Sequence, residues 1–166
     1  MAQTTTAMSG VDATVEISTD GTTWIDLSGS STSVSPGSQS RMTGETHTLE
    51  GDLAIITPGK REPMEISVTT LYTEASGEAF ETLRPLFVAR TRIYFRYSPL
   101  GPGATGRAVF TATNDDATPG ACIISELDWP EVDATSADPI AIAYTVRVPG
   151  LIRTVTGNST GLGSGA

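Results

Sequence analysis

A chain of 166 residues with a formal net charge of −9 is long enough for one domain with a real core. Its acidity excludes the basic footprint of a sequence-reading nucleic-acid binder, while leaving room for a channel along which nucleic acid slides without sticking. With 17 Gly, 10 Pro and abundant Ser and Thr, it suits many short strands joined by turns, and its patterned Val, Ile and aromatic residues exclude a wholly disordered polymer.

Residues 1–10 are polar and read as an N-terminal arm. The segment MAQTTTAMSG has neither a basic nor an apolar leader region, so no signal peptide is expected. No run approaches membrane-spanning length, so membrane insertion is not expected either. Val11, Ala13, Val15 and Ile17 alternate with polar residues as a first strand. Asp20-Gly21 then signals a tight turn and Trp24–Leu27 a hairpin partner. Ser28–Ser40 holds almost no large apolar residue and reads as a long loop, a feature that in compact domains is usually functional. Two strands are expected within Thr43–Thr57, turning at Gly51-Asp52, followed by a turn at Pro58–Arg61 and a long alternating strand from Met64 to Tyr72.

Ser76–Phe87 is the one helix candidate, with Ser76 as N-cap and Phe80, Leu83 and Phe87 as an apolar stripe. Pro85 forbids a long continuation. Strands are expected at Arg92–Ser98, Arg107–Thr113 and Ala121–Leu127, separated by the glycine-rich turn Pro99–Gly106 and the acidic turn Asn114–Gly120. Ile140, Ile142, Tyr144, Val146 and Val148 share one face of a clean strand between Pro139 and Pro149. From this strand hangs the loop Asp128–Asp138, with Trp129 and four carboxylates. Leu151–Val155 adds a last short strand, and residues 156–166 read as a C-terminal arm. The expected fold is mainly β: a sandwich or barrel of about nine strands with one flanking helix. The single domain spans 11–155, with the long loop and hairpin at 28–57 and the helix at 76–87.

Chemistry is mostly absent from this pattern. One histidine, His47, and one cysteine, Cys122, cannot make the usual zinc sets, and no Gly-x-Ser-x-Gly elbow accompanies them. Cys122 permits no internal disulfide and, beside Ile123 and Ile124, reads as a buried thiol. Residues 101–106 match the dinucleotide fingerprint by letter, but a strand rather than a helix follows, which removes the phosphate site. Asp115-Asp116 lacks the order of a calcium loop. No catalytic residue, cofactor or metal is assigned.

Charge layout is more informative. Between Glu81 and Asp115 every charged residue is arginine: Arg84, Arg90, Arg92, Arg96 and Arg107. Between Arg107 and Arg147 every one is acidic, including Asp128, Glu131, Asp133 and Asp138. Two readings stay open. The blocks pair within one subunit, or they meet head-to-tail between copies, which gives rings or filaments. On the second reading Arg90, Arg92, Arg96, Arg107, Asp128, Trp129, Glu131, Asp133 and Asp138 are the interface candidates.

The ordered series VEISTDGTTWIDLSG, EPMEISVTTLYTEAS leading into a helix, YFRYSPLG and WPEVDATSADPI resembles the tail tube proteins (major tail proteins) of long-tailed bacteriophages over Val11–Val155. The resemblance implies a structural virion protein, assembled in the host cytoplasm into stacked hexameric rings that form a hollow tail tube. It implies a barrel closed by strands from every subunit, with the 28–57 loop and the terminal arms joining ring to ring. DNA passes through non-specifically, and the implied partners are further copies, a tape measure protein, a tail terminator and distal tail proteins. An acidic lumen suits the charge, and Glu45, Glu50, Asp52 and Glu65 are the candidate lumen acids. A monomeric β-sandwich binding module of adhesin or carbohydrate-binding type is the alternative, and a hydrolase the remote one.

Overall fold

The computed structural model describes residues 10–101 and 107–155; residues 1–9, 102–106 and 156–166, which include most of both expected arms and the glycine-rich turn, lie outside the description. Eleven strands and one helix are found among the described residues, so the fold is mainly β as expected, with two strands more than the sequence pattern suggested. In chain order they are β1 (Thr14–Ser18), β2 (Ile25–Asp26), β3 (Ser31–Pro36), β4 (Arg41–Thr46), β5 (Ile55–Arg61), β6 (Met64–Leu71), α1 (Ala79–Val88), β7 (Tyr94–Ser98), β8 (Ala108–Ala112), β9 (Ile123–Leu127), β10 (Ala141–Val148) and β11 (Leu151–Val155).

The strands form a five-stranded sheet, ordered β11-β8-β7-β1-β2, a four-stranded sheet, ordered β3-β6-β10-β9, and a separate β4-β5 ribbon. All ladders are antiparallel. The inward rows alternate as a half-buried strand requires. Met64, Ile66, Val68 and Thr70 of β6 lie opposite Val148, Val146, Tyr144 and Ile142 of β10, and all eight are buried. From the facing sheet Val15, Ile17, Phe95 and Ala112 complete one core with Leu27, Ile93, Cys122 and Ile124. Burial pushes the Cys122 thiol up to about 12, which makes it an inert core residue.

Local chemistry explains where elements start and stop. At the β1–β2 turn the Asp20 carboxylate accepts the Thr22 and Thr23 amides at 2.8 and 2.7 Å, which holds its pKa far below the ordinary carboxylate value. Gly21 takes φ +77°, a left-handed conformation that side chains resist. The helix begins three residues later than expected. Ser76 is not its cap, because Gly77 at φ +89° breaks the chain first and Glu78 takes the N-cap position. Its C-terminus closes with the Thr91 amide on the Leu86 carbonyl and the Arg90 amide on the Phe87 carbonyl, with Arg90 itself at φ 56°. This is a Schellman closure built on an arginine where glycine is usual. Ala79, Phe80 and Leu83 are buried, but the last member of the expected stripe, Phe87, lies at the surface.

The largest departure concerns residues 28–57. The expected loop Ser28–Ser40 contains β3, which pairs along β6, and the expected turn Pro58–Arg61 lies inside β5. After the Gly37 amide bonds the Glu65 carbonyl and the Glu62 amide bonds the Ser40 carbonyl, β4 and β5 carry the β3/β6 pair onward as an exposed ribbon.

Candidate assembly interface

The outer face of the four-stranded sheet is built from small polar side chains. Register places Ser33, Ser35, Ser67, Thr69, Ala143 and Thr145 on it, with Glu126, Glu65 and Arg147 among them and Ile123 opposite Arg147 at the β9 edge. Glu65 and Arg147 lie opposite each other, 3.6 Å apart, with side chains more than half exposed, so the pair contributes little to stability. Both edges of this sheet, β3 and β9, lack a partner strand among the described residues, and an unpaired edge is a template for pairing with another chain.

The ribbon is the second surface. Leu49, Leu53, Ile55 and Ile56 are all exposed there, Leu49 completely. Glu45 lies on β4, and Glu50 and Asp52 sit in the connecting turn. Of the four candidate lumen acids, Glu65 alone is on the sandwich proper.

The third surface joins the end of α1 to β9 and the start of the acidic loop. Phe80 meets Trp129 edge-on at 6.3 Å, and the Arg84 guanidinium lies 5.7 Å from the Trp129 ring centre, within cation–π range. Trp129 is nevertheless 73% exposed, and Val88 71%. Two shallow grooves share Phe87 and Val88, one running to Ile123 and the other to Leu127 and Trp129, so the apolar surface is continuous. Asp128, Glu131, Asp133 and Asp138 follow directly in sequence. The Asp133 carboxylate bonds the Thr135 amide and hydroxyl, which lowers its pKa and shapes the loop.

The fourth is a cleft of about 730 Å³ between the sheets, beside β3. Val11, Val15, Val34, Tyr97 and Phe110 line it with Ser28, Ser31 and Thr32. Arg107 is not part of its lining but lies 4.0 Å from Asp12, which stands between the lining residues Val11 and Ala13, and is bonded to the Leu100 carbonyl.

The arginine block is therefore not one patch. Arg90 closes the helix through its backbone, and Arg92 borders a small pocket with Cys122 and Arg147. Arg96 is held inside the subunit: it makes two bonds to Glu16, at 2.6 and 3.0 Å, and lies 4.1 Å above the Trp24 ring centre. Asp116 pairs with Arg61. Asp115 accepts the Ala117 and Thr118 amides, so its carboxylate caps a turn. No group of three or more metal-ligating side chains occurs among the described residues. Arg96→Glu puts two carboxylates face to face in a partly buried site. The expected loss is about 2 kcal/mol of monomer stability, between surface and buried pairs, measured by urea unfolding. An unchanged midpoint would show that the pair does not support the sheet.

With these surfaces in place, comparison with solved structures is informative. A structure of the anti-feeding prophage cap, described as its tube-terminating cap, superposes with a TM-score of 0.67 at 15% identity, covering 93% of this chain and 95% of that one. The tail of an empty gene transfer agent particle, refined with C6 symmetry, gives 0.59 at 13% identity over 90% and 99%. The SPP1 tail tube gives 0.53 at 13% identity over 87% and 77%. This is a tail-tube fold. The likeness read from the ordered segments thus holds at the level of fold. No protein-family model matches the chain, and no curated protein matches it by sequence. The tail-tube fold leaves the functions of the four surfaces to be argued from their own chemistry.

Proposed function

We propose that this chain is the tube subunit of a phage or phage-derived tail, six copies forming each ring and rings stacking into a hollow conduit for DNA. The observation that carries the reading is the β4–β5 ribbon. Leu49, Leu53, Ile55 and Ile56 all stand in solvent within one short segment, on a ribbon extending the β3/β6 ladder. Such a feature has a use when a neighbour covers it, and in the stacked tube that neighbour is a subunit of the next ring.

The four-stranded sheet supports the ring. Its strands alternate in direction from β3 to β9, so β9 of one copy set beside β3 of the next continues the antiparallel order. Six such sheets close a barrel without free edges. The outer face then lines the lumen with Ser and Thr side chains, Glu126 and the Glu65–Arg147 pair, two acids to one base. A smooth acidic wall repels a polyanion and lets it slide. Glu45, Glu50 and Asp52 add negative charge where the ribbon passes between rings. A tail terminator, distal tail proteins and a tape measure protein are the partners such a tube requires at its ends and during length control. The assembled protein belongs to the virion tail, after assembly in the host cytoplasm.

Negative-stain microscopy with sedimentation of the purified full chain tests this reading. Stacked rings with an open centre and six-fold end views are expected. A monomer at high concentration in several salts overturns it.

A further inference from the structure

The two unpaired edges of the four-stranded sheet differ in what lies beside them. At β3 there is a cleft; at β9 there is an exposed apolar surface with shallow grooves of its own. We infer that these two features are the halves of one contact: the Phe87–Val88–Ile123 surface of one copy seats at the β3 cleft of the next. The inference rests on the ring reading and deepens it by naming the occupant of the cleft.

Three observations support a second copy in this place. First, a head-to-tail contact needs two different surfaces on one chain, and these lie on opposite edges of one sheet. When β9 of one copy continues the ladder at β3 of another, whatever flanks β9 is carried to whatever flanks β3. Second, the two sides match in polarity. Phe87, Val88 and Ile123 are exposed at 37, 71 and 46%, while the cleft presents Val34, Tyr97 and Phe110. Burying apolar side chains against one another drives association.

Third, charge fixes the polarity of the match. Antiparallel pairing sets the end of β9, and the acidic loop that follows it, at the start of β3. That end of β3 is tied to β1, since the Ser31 amide bonds the Ser28 carbonyl and Ser28 Oγ accepts the Val15 amide at 2.9 Å. Arg107 lies at the same end, beside Asp12. The incoming Asp128 and Glu131 therefore approach Arg107, giving opposite charges across the interface. Arg153 lies opposite Phe110 in the β8–β11 ladder and adds a second cation along that wall.

Site-directed crosslinking decides the matter. Full-length Pro36→Cys and Val88→Cys proteins are mixed under assembly conditions and treated with a short bismaleimide. Cys122 is buried, so it stays silent. Pro36 lies at the cleft and Val88 ends α1. Crosslinked dimers are expected from the mixture and not from either variant alone. Val88→Asp is expected to raise the concentration needed for ring formation at least roughly tenfold, with thermal unfolding of the monomer unchanged. If rings form but Pro36→Cys crosslinks to Leu53→Cys instead, the ribbon fills the cleft and the inference is overturned while the tube stands. Rings with no Pro36–Val88 crosslink also overturn it. Failure to form any ring sinks the tube reading and the inference together.

Discussion

The double variant Leu53→Asp, Ile56→Asp is expected to fold as a monomer and to form no stacked tube. Both side chains project from the ribbon, at 86% and 65% exposure, and touch nothing the sandwich needs. Covering one aliphatic side chain is worth about 1.5–3 kcal/mol. Two charged replacements remove that gain and add the cost of burying carboxylates. A loss of about 3 kcal/mol per contact corresponds to roughly 100-fold in association at each site, repeated at every subunit of the proposed ring. Sedimentation should then show monomers or single rings, with circular dichroism and melting temperature unchanged. Normal tubes from this variant would remove the ribbon from the contact between rings. A lowered melting temperature would show instead that the ribbon packs on its own subunit.

Part of this architecture was legible in the sequence, and the reason is burial. β6 and β10 are covered on their inner face, so Met64-Ile66-Val68 and Ile142-Tyr144-Val146-Val148 show period two without ambiguity. β3 does not, because STSVSP is an edge strand whose inward row holds Val34 as its one aliphatic side chain. Its partner supplies the apolar surface, and no local pattern reports that. The β5 segment departs from its local pattern for another reason. Pro58-Gly59 is a strong turn signal, yet here it is a place of close approach. A Cβ on Gly59 would stand 2.7 Å from the Met42 carbonyl oxygen, so glycine lets β4 and β5 meet.

The charge blocks do not report which pairs the subunit makes internally. Arg96 and Glu16 are 80 positions apart, and Arg61 and Asp116 are 55 apart. Both pairs are made by strand or loop proximity that a linear tally of charge does not contain. Within the loop, Trp129 meets the Phe80 ring edge-on, lies within cation–π range of Arg84 and is still largely exposed.

Phe95→Ala should abolish assembly by a different route, and the contrast separates contact residues from core residues. Phe95 is fully buried, lies opposite Ile17 on β1, and has the Tyr97 ring 6.2 Å away. Its removal leaves a cavity at the centre of the five-stranded sheet, flanked by strands that cannot close in without breaking their ladders. The expected cost is about 3–5 kcal/mol, a large share of the roughly 5–15 kcal/mol that holds a domain of this kind. Urea unfolding should show a much lower midpoint with an unchanged slope. Any tubes lost would be lost because the monomer population falls, so adding osmolyte, which favours the compact state, should restore part of them. The same addition should do nothing for Leu53→Asp, Ile56→Asp, whose monomer is already folded. Equal recovery of both variants would mean that the ribbon acts through subunit stability, and that its exposed side chains are not the contact between rings.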